Sequence, residues 1–288
     1  MDVTVLPNQR RPGVGRLPAP ENRRAALPQQ ARFCPVVEDA SRSGFLVYPP
    51  LLPEEGLQIR YLEAGLLRVA LHRTPTGTST PQPVWVMDIS TSGGTGGFDA
   101  YDVKFIDESI GLDAVEVQAF SDALLANVNS PQGGIGLRGA YDFVTPEGWD
   151  TVYMGILNRT DRPSLPVLTA RIETDWYSQP TEFRYVLQPG DILSANGQSP
   201  IGQVLFVPRD SVRLREGSAD ERQAFLDRQQ QYWAERSTKE RATNFGTLYS
   251  YHYRDLQKAN RAGTAHGSAE DVSPDLDGGL GGGTDTEN

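Results

Sequence analysis

Leu57-Gln58-Ile59-Arg60-Tyr61-Leu62-Glu63-Ala64-Gly65-Leu66-Leu67-Arg68-Val69-Ala70-Leu71-His72 decides the fold class. Residues 57–62 and 66–72 are apolar or alternating runs of strand length, and Glu63-Ala64-Gly65 between them reads as a hairpin turn. The same texture extends outward to Phe45 and Val207: short runs broken by Gly, Pro, Asn and Asp. Candidate strands fall at 44–48, 57–62, 66–72, 84–89, 102–106, 115–120, 135–141, 152–157, 167–173, 181–187 and 204–207. Val84-Trp85-Val86-Met87 and Val152-Tyr153-Met154 carry the β-branched and aromatic side chains that strands favour. Residues 121–128 are the one internal stretch that reads as a short helix. The pattern predicts a mainly β chain, a jelly-roll/cupin-like β-sandwich over 31–213.

The texture changes after Val212. Ser218-Ala219-Asp220-Glu221 is a capping box, and Phe225, Leu226, Tyr232 and Trp233 recur on one helical face. A helix is expected over 219–241, within a C-terminal helical and aromatic extension at 214–261 that packs on the body. Tyr249-Ser250-Tyr251-His252-Tyr253 fits either a closing strand or a docked aromatic segment.

The net charge of −10 is unevenly spread. Residues 1–30 hold five arginines and five prolines for a net of +3, and residues 262–288 hold six acids and no Lys or Arg. Both ends lack the apolar content that offsets ordering entropy, so a disordered basic Pro-rich arm and a disordered acidic Gly-rich tail are expected. The acidic middle argues against a nucleic-acid groove. Cys34 is the single cysteine, so no disulfide forms within the chain. The N-terminus lacks a secretion signal and no apolar run reaches the ~20 residues of a membrane helix. A bacterial cytoplasmic protein without membrane contact is the expectation.

Most catalytic motifs fail on inspection. The three histidines, His72, His252 and His266, show no metal-ligand spacing, so no metal and no cofactor are expected. Cys34 has no local base to activate it. No Gly-x-Ser-x-Gly elbow is present. Ser92-Gly93-Gly94-Thr95-Gly96-Gly97-Phe98 lacks the lysine of a phosphate cradle and reads as a loop, with a lid as its other use.

The densest cluster of chemistry-bearing residues is 171–185. Along a strand Arg171, Glu173 and Asp175 would share one face beside Trp176 and Tyr177, with Arg184 nearby. Two close carboxylates shift each other's pKa and can do acid–base work. The alternative is a strand end whose Trp176 caps the sandwich while Glu173 pairs with Arg171 or Arg184. Pro189-Gly190-Asp191 is a turn that reverses one strand into the next.

Glu173-Thr174-Asp175-Trp176, then Pro180-Thr181-Glu182-Phe183, Pro189-Gly190-Asp191, Pro200-Ile201 to Val207-Pro208, and Trp233 with Arg236 stand in a distinctive order. That order resembles an uncharacterised bacterial domain family with a Glu-Thr-Asp-Trp element followed by a Pro-x-x-Phe strand. The resemblance implies a β-sandwich-like fold and no particular activity. The sequence departs from the family at Arg184-Tyr185-Val186-Leu187 and at Gly190-Asp191, where the family has an aromatic-rich strand and Gly-Glu.

Three function classes follow. The first is a metal-independent β-domain that binds or modifies a small molecule or peptide, in a biosynthetic setting, through Arg171, Glu173, Asp175, Trp176, Tyr177 and Arg184. The second is an assembly protein that forms a homo-oligomer through its β-body. The third is a metal-dependent cupin-type enzyme.

Overall fold

The structure is a computed structural model, and it describes residues 1–28, 31–63, 66–90, 104–105, 114–126, 128, 131–160, 165–210, 212–242 and 248–263. In chain order its elements begin with β1 (Thr4–Pro7), α1 (Pro35–Arg42), β2 (Phe45–Val47), β3 (Glu55–Glu63), β4 (Leu66–Arg73), β5 (Gln82–Ser90) and β6 (Lys104–Phe105). There follow α2 (Ala114–Leu124), β7 (Leu125–Ala126), β8 (Gly134–Arg138), β9 (Tyr141–Val144), β10 (Trp149–Met154) and β11 (Ala170–Ile172). The rest are β12 (Glu182–Val186), β13 (Ile192–Asn196), β14 (Gly202–Pro208), α3 (Ala219–Thr238), β15 (Glu240–Ala242), β16 (Leu248–Ser250) and α4 (His252–Gly263). The chain divides into two compact units, Met1–Arg213 and Leu214–Asn288.

The first unit is mainly β. Its larger sheets run β13-β3-β4-β5-β6, β11-β10-β14-β2 and β12-β8-β7, beside the β1-β9 ribbon, and no closed barrel forms among the described residues. Every pairing is antiparallel. The opening stretch behaves as its pattern demands. β3 and β4 pair directly, with Glu63 opposite Leu66; Ala64 and Gly65 of the expected turn lie outside the described residues. Leu57, Ile59 and Tyr61 of β3, Leu67, Val69 and Leu71 of β4, and Trp85, Met87 and Ile89 of β5 are all buried on one face. A one-residue slip would turn all nine outward, so burial fixes the register. Val47, Ile135, Leu137, Tyr153, Phe183, Tyr185 and Val204 complete the same core from the other sheets.

Residues 115–120 form helix, where a strand was expected. Val115 and Val117 suggest a strand, but Val115 is 75% exposed and contributes little. Phe120, Ala123 and Leu124, at helical spacing, carry the packing instead. The helix ends at Leu124 and the chain passes at once into β7, so only the first half of the expected 121–128 helix exists.

The N-terminal segment is also corrected. Of the disordered arm expected over 1–30, residues 1–28 are folded into the first unit, and residues 29 and 30 lie outside the described residues. β1 pairs along its full length with β9. Asn8 is buried; its Nδ2 donates to the Ala123 and Gly139 carbonyls, and its Oδ1 accepts from the Arg10 and Arg11 amides. The Arg11 guanidinium bonds Glu55 at 2.8 Å and lies 4.3 Å from the centre of the Phe120 ring. Arg16 sits over Tyr48, and Arg23 donates to the Ser41 and Leu157 carbonyls. Ala19 bridges Leu46 and covers the free edge of β2. Arginine side chains, the buried Asn8 and the buried Leu27 thus do the packing that composition assigned to missing apolar residues.

In the second unit, Ser218 and Glu221 close the capping box of α3, which spans Ala219–Thr238. The segment around Tyr249 splits: β16 pairs with β15, and His252 opens α4. His252 is buried against Tyr232, with Nδ1 3.0 Å from Lys239 Nζ and Nε2 3.3 Å from Glu235. The expected Ser92–Phe98 loop, the flanks of the expected 102–106 strand and residues 264–288 of the expected acidic tail lie outside the described residues. No described helix is long and apolar enough to cross a membrane.

A pinned aromatic pair at the end of β11

β11 stops at Ile172, so Glu173 and Asp175 do not continue a strand face. Residues 173–177 form a turn in which the Glu173 carbonyl accepts from the Tyr177 amide at 2.9 Å. Each residue of Glu173-Thr174-Asp175-Trp176 then takes a separate task. Thr174 is buried, and its hydroxyl meets those of Thr145 and Thr151 at 2.9 and 2.7 Å. Asp175 accepts from the Gly148 amide at 3.0 Å and from Arg209 Nη2 at 2.6 Å. Glu173 accepts from the Trp176 indole Nε1 at 2.5 Å. Trp176 itself is 66% exposed, with Tyr177 beside it at a ring separation of 5.5 Å.

Below the turn lies an ion network that the sequence reading missed in part. Asp150 on β10 faces β11 and accepts from Arg171 Nε at 2.6 Å and from Arg209 Nε at 2.8 Å. Arg209, just past β14, reaches Asp150, Asp175 and, at 3.6 Å, Glu173. Burial pushes the Asp150 carboxyl up, but the two arginines outweigh it and hold it below its ordinary value. The hydrogen bond from Arg209 likewise lowers Asp175 and raises Arg209. Three carboxylates face two guanidiniums, leaving one net negative charge, on the half-exposed Glu173 side.

Of the six expected site residues, Arg171, Glu173, Asp175, Trp176 and Tyr177 converge here. Arg184 does not belong with them: its guanidinium pairs with Glu182 on its own strand, at 2.7 Å. Trp176 caps no sheet, since it faces solvent, and Glu173 pairs with Arg209 in place of Arg171 or Arg184. Asp175 is held in its ionised form, which removes it as a proton donor at neutral pH. Asp150 and Arg209 had no local signal beyond being single charges at strand ends; only the β10–β14 pairing brings them together.

Among the described residues no group of three or more His, Cys, Asp or Glu side chains is placed to hold a metal ion. Cys34 is a free thiol at the start of α1. Comparison of the chain with protein-family models, curated proteins and solved structures returns no match.

Proposed function

We propose that the first unit is a metal-independent binding domain that holds a peptide, or a small molecule, bearing a cationic group against Trp176 and Tyr177. The observation that carries this reading is an exposed tryptophan whose position is fixed by its own loop. A tryptophan needed only for packing would be buried, and one left over by composition would not be tied to Glu173. Trp and Tyr are the residues that dominate binding surfaces, and a ring face beside a carboxylate attracts a cation. The ion network underneath ties the loop to β10 and to Arg209, and a loop held in place before binding has a lower ordering cost. Because Asp150 and Asp175 are ion-paired, binding fits the geometry better than acid–base modification of the ligand. The stacked antiparallel sheets suit a jelly-roll or cupin-type sandwich that carries this loop at one edge. The bacterial family's Glu-Thr-Asp-Trp element would, in this reading, be the same pinned display of a tryptophan.

Panning a random peptide library on the protein, with a Trp176→Ala, Tyr177→Ala double variant as counter-selection, tests this. Enrichment of Lys- or Arg-containing peptides on the parent protein alone supports it. Equal recovery on both proteins refutes it. If the surface instead joins copies of the chain, light scattering will show self-association that the double variant abolishes, and the peptide reading fails.

A further inference from the structure

A second concave feature shares no residue with the Trp176 surface. It is an open cleft of about 340 Å3 on the outward face of β13, β3 and β4. That size is at the low end of ligand pockets, which run to roughly 300–1,000 Å3. The strand registers set its layout. Gly56 on β3 lies between Asn196 on β13 and His72 on β4, and Gln58 lies next to Ser194 in the adjoining row. Gly56 is the floor: among the described residues a Cβ there would meet only the Ala195 carbonyl within 4 Å, at 3.7 Å.

Two local devices build the walls. The β4–β5 ladder is irregular at His72, since Leu71 pairs with Trp85 but His72 with Pro83, so Val84 is an extra residue. Bulges of this kind re-aim a side chain beside a site. On the other side, Asn196 Oδ1 accepts from the Gln198 and Ser199 amides at 2.9 and 2.7 Å, which fixes the turn carrying Gln198. Gly197 within that turn packs so closely on Leu51 and Leu52 that a side chain would lie 2.5 Å from the Leu52 carbonyl.

The lining defines a chemical class. It offers the amides of Gln58 and Gln198, the Ser194 hydroxyl and the His72 imidazole, with Pro53 and Pro81 as apolar rims. Burial lowers the His72 pKa, so at neutral pH the ring is uncharged and can both donate and accept. Among the described residues no Lys or Arg lines the cleft. Glu55 is already matched by Arg11 and Arg73, which leaves Glu54 as the lining carboxylate outside an ion pair among the described residues. An anion would find no counter-charge here, and an apolar ligand would strand the amides.

We infer that this cleft is a binding site for a neutral, multiply hydroxylated small molecule of the size of one or two sugar units, with Gly56 as its floor.

The test is an NMR titration of the full chain with glucose, galactose, mannose, maltose and glucose 6-phosphate. The parent protein should show saturable amide shifts at Gln58, His72, Ser194 and Asn196 with at least one neutral sugar. Gly56→Val fills the floor with a residue strands favour, so those shifts should vanish while the melting temperature is retained. His72→Ala should weaken binding in a chain whose floor is unchanged. Overturning results are no shift with any neutral sugar, undiminished binding in a folded Gly56→Val protein, or tighter binding of glucose 6-phosphate than of glucose.

Discussion

Replacing Arg11 with methionine should destabilise a β-sheet that begins 44 residues further along the chain. The Glu55 carboxylate has no solvent exposure and accepts from Arg11 Nη1 at 2.8 Å, Arg73 Nη2 at 3.0 Å and the Leu52 amide at 2.9 Å. Arg11 makes two hydrogen bonds to this carboxylate, at 2.8 and 3.3 Å, and losing charge-assisted bonding of this kind costs about 1.5–3 kcal/mol. Orphaning a buried charge entirely costs about 3–5 kcal/mol, but Arg73 stays, half exposed, so the lower range governs. The lost stack on Phe120 adds about 0.5–1 kcal/mol, and methionine keeps part of the packing. The expected loss is therefore about 2–4 kcal/mol, which lowers the melting temperature by roughly 4–16 °C for a unit of this size. The pH dependence follows from Glu55. Burial raises its pKa, but bonds from Arg11, Leu52 and Arg73 outweigh this and set the folded value below 4.5. Its contribution is thus complete above pH 4.5 and fades as pH falls through the folded value. Urea unfolding of parent and variant should differ by the full amount at neutral pH, and in acid the difference should shrink toward the part that comes from the Phe120 stack. Arg11→Lys, which keeps charge but loses the fork, should fall between them. A neutral-pH difference under about 0.5 kcal/mol, the scale of ordinary surface substitutions, would refute the role given to the N-terminal segment.

Three further outcomes are expected. Gly202→Ala places a methyl 2.1 Å from the buried Phe183 ring, so it should destabilise by about 1–3 kcal/mol in chemical unfolding, while Gly148→Ala, with open space but a left-handed backbone, should cost less. Arg209→Gln should speed amide exchange across 173–177, because it removes the shared partner of Asp150 and Asp175; unchanged exchange would show that Thr174 alone anchors the turn. Hydrogen bonding from Arg215 and from the Ser218 amide lowers Glu221 to about 2, so the start of α3 should keep its support above pH 4.5 and lose it progressively as pH falls toward 2, read as helical circular dichroism.

The sequence made the strands of the body legible because burial follows a two-residue period. β3, β4, β5 and β12 show that period through Leu57-Ile59-Tyr61, Leu67-Val69-Leu71, Trp85-Met87-Ile89 and Phe183-Tyr185. The capping box made the start of α3 readable for the same kind of local reason. What composition hid was structure supported from a distance. Val3, just before β1, and Val5 within it pack against the core, and β1 depends on β9 and on Asn8 for the rest. α2 looked like a strand because Val115 and Val117 are β-branched, yet Phe120 and Leu124 decide its packing. At the site, Glu173 to Tyr177 were found by density of chemical groups. Asp150 and Arg209 were not, since they lie 23 residues before and 36 after Glu173 and meet it only through the β10–β14 and β10–β11 ladders. Arg184 was drawn in by proximity in sequence and is removed by Glu182, two residues away on the same face of β12.

The central claim is that Trp176 and Tyr177 are displayed to bind. Calorimetric titration of a cationic peptide recovered by panning, against the parent protein and Trp176→Ala, measures this most directly. A central interface tryptophan contributes at least ~2 kcal/mol, so affinity should fall roughly 30-fold or more with the melting temperature little changed. Equal affinity in the two proteins would contradict the account.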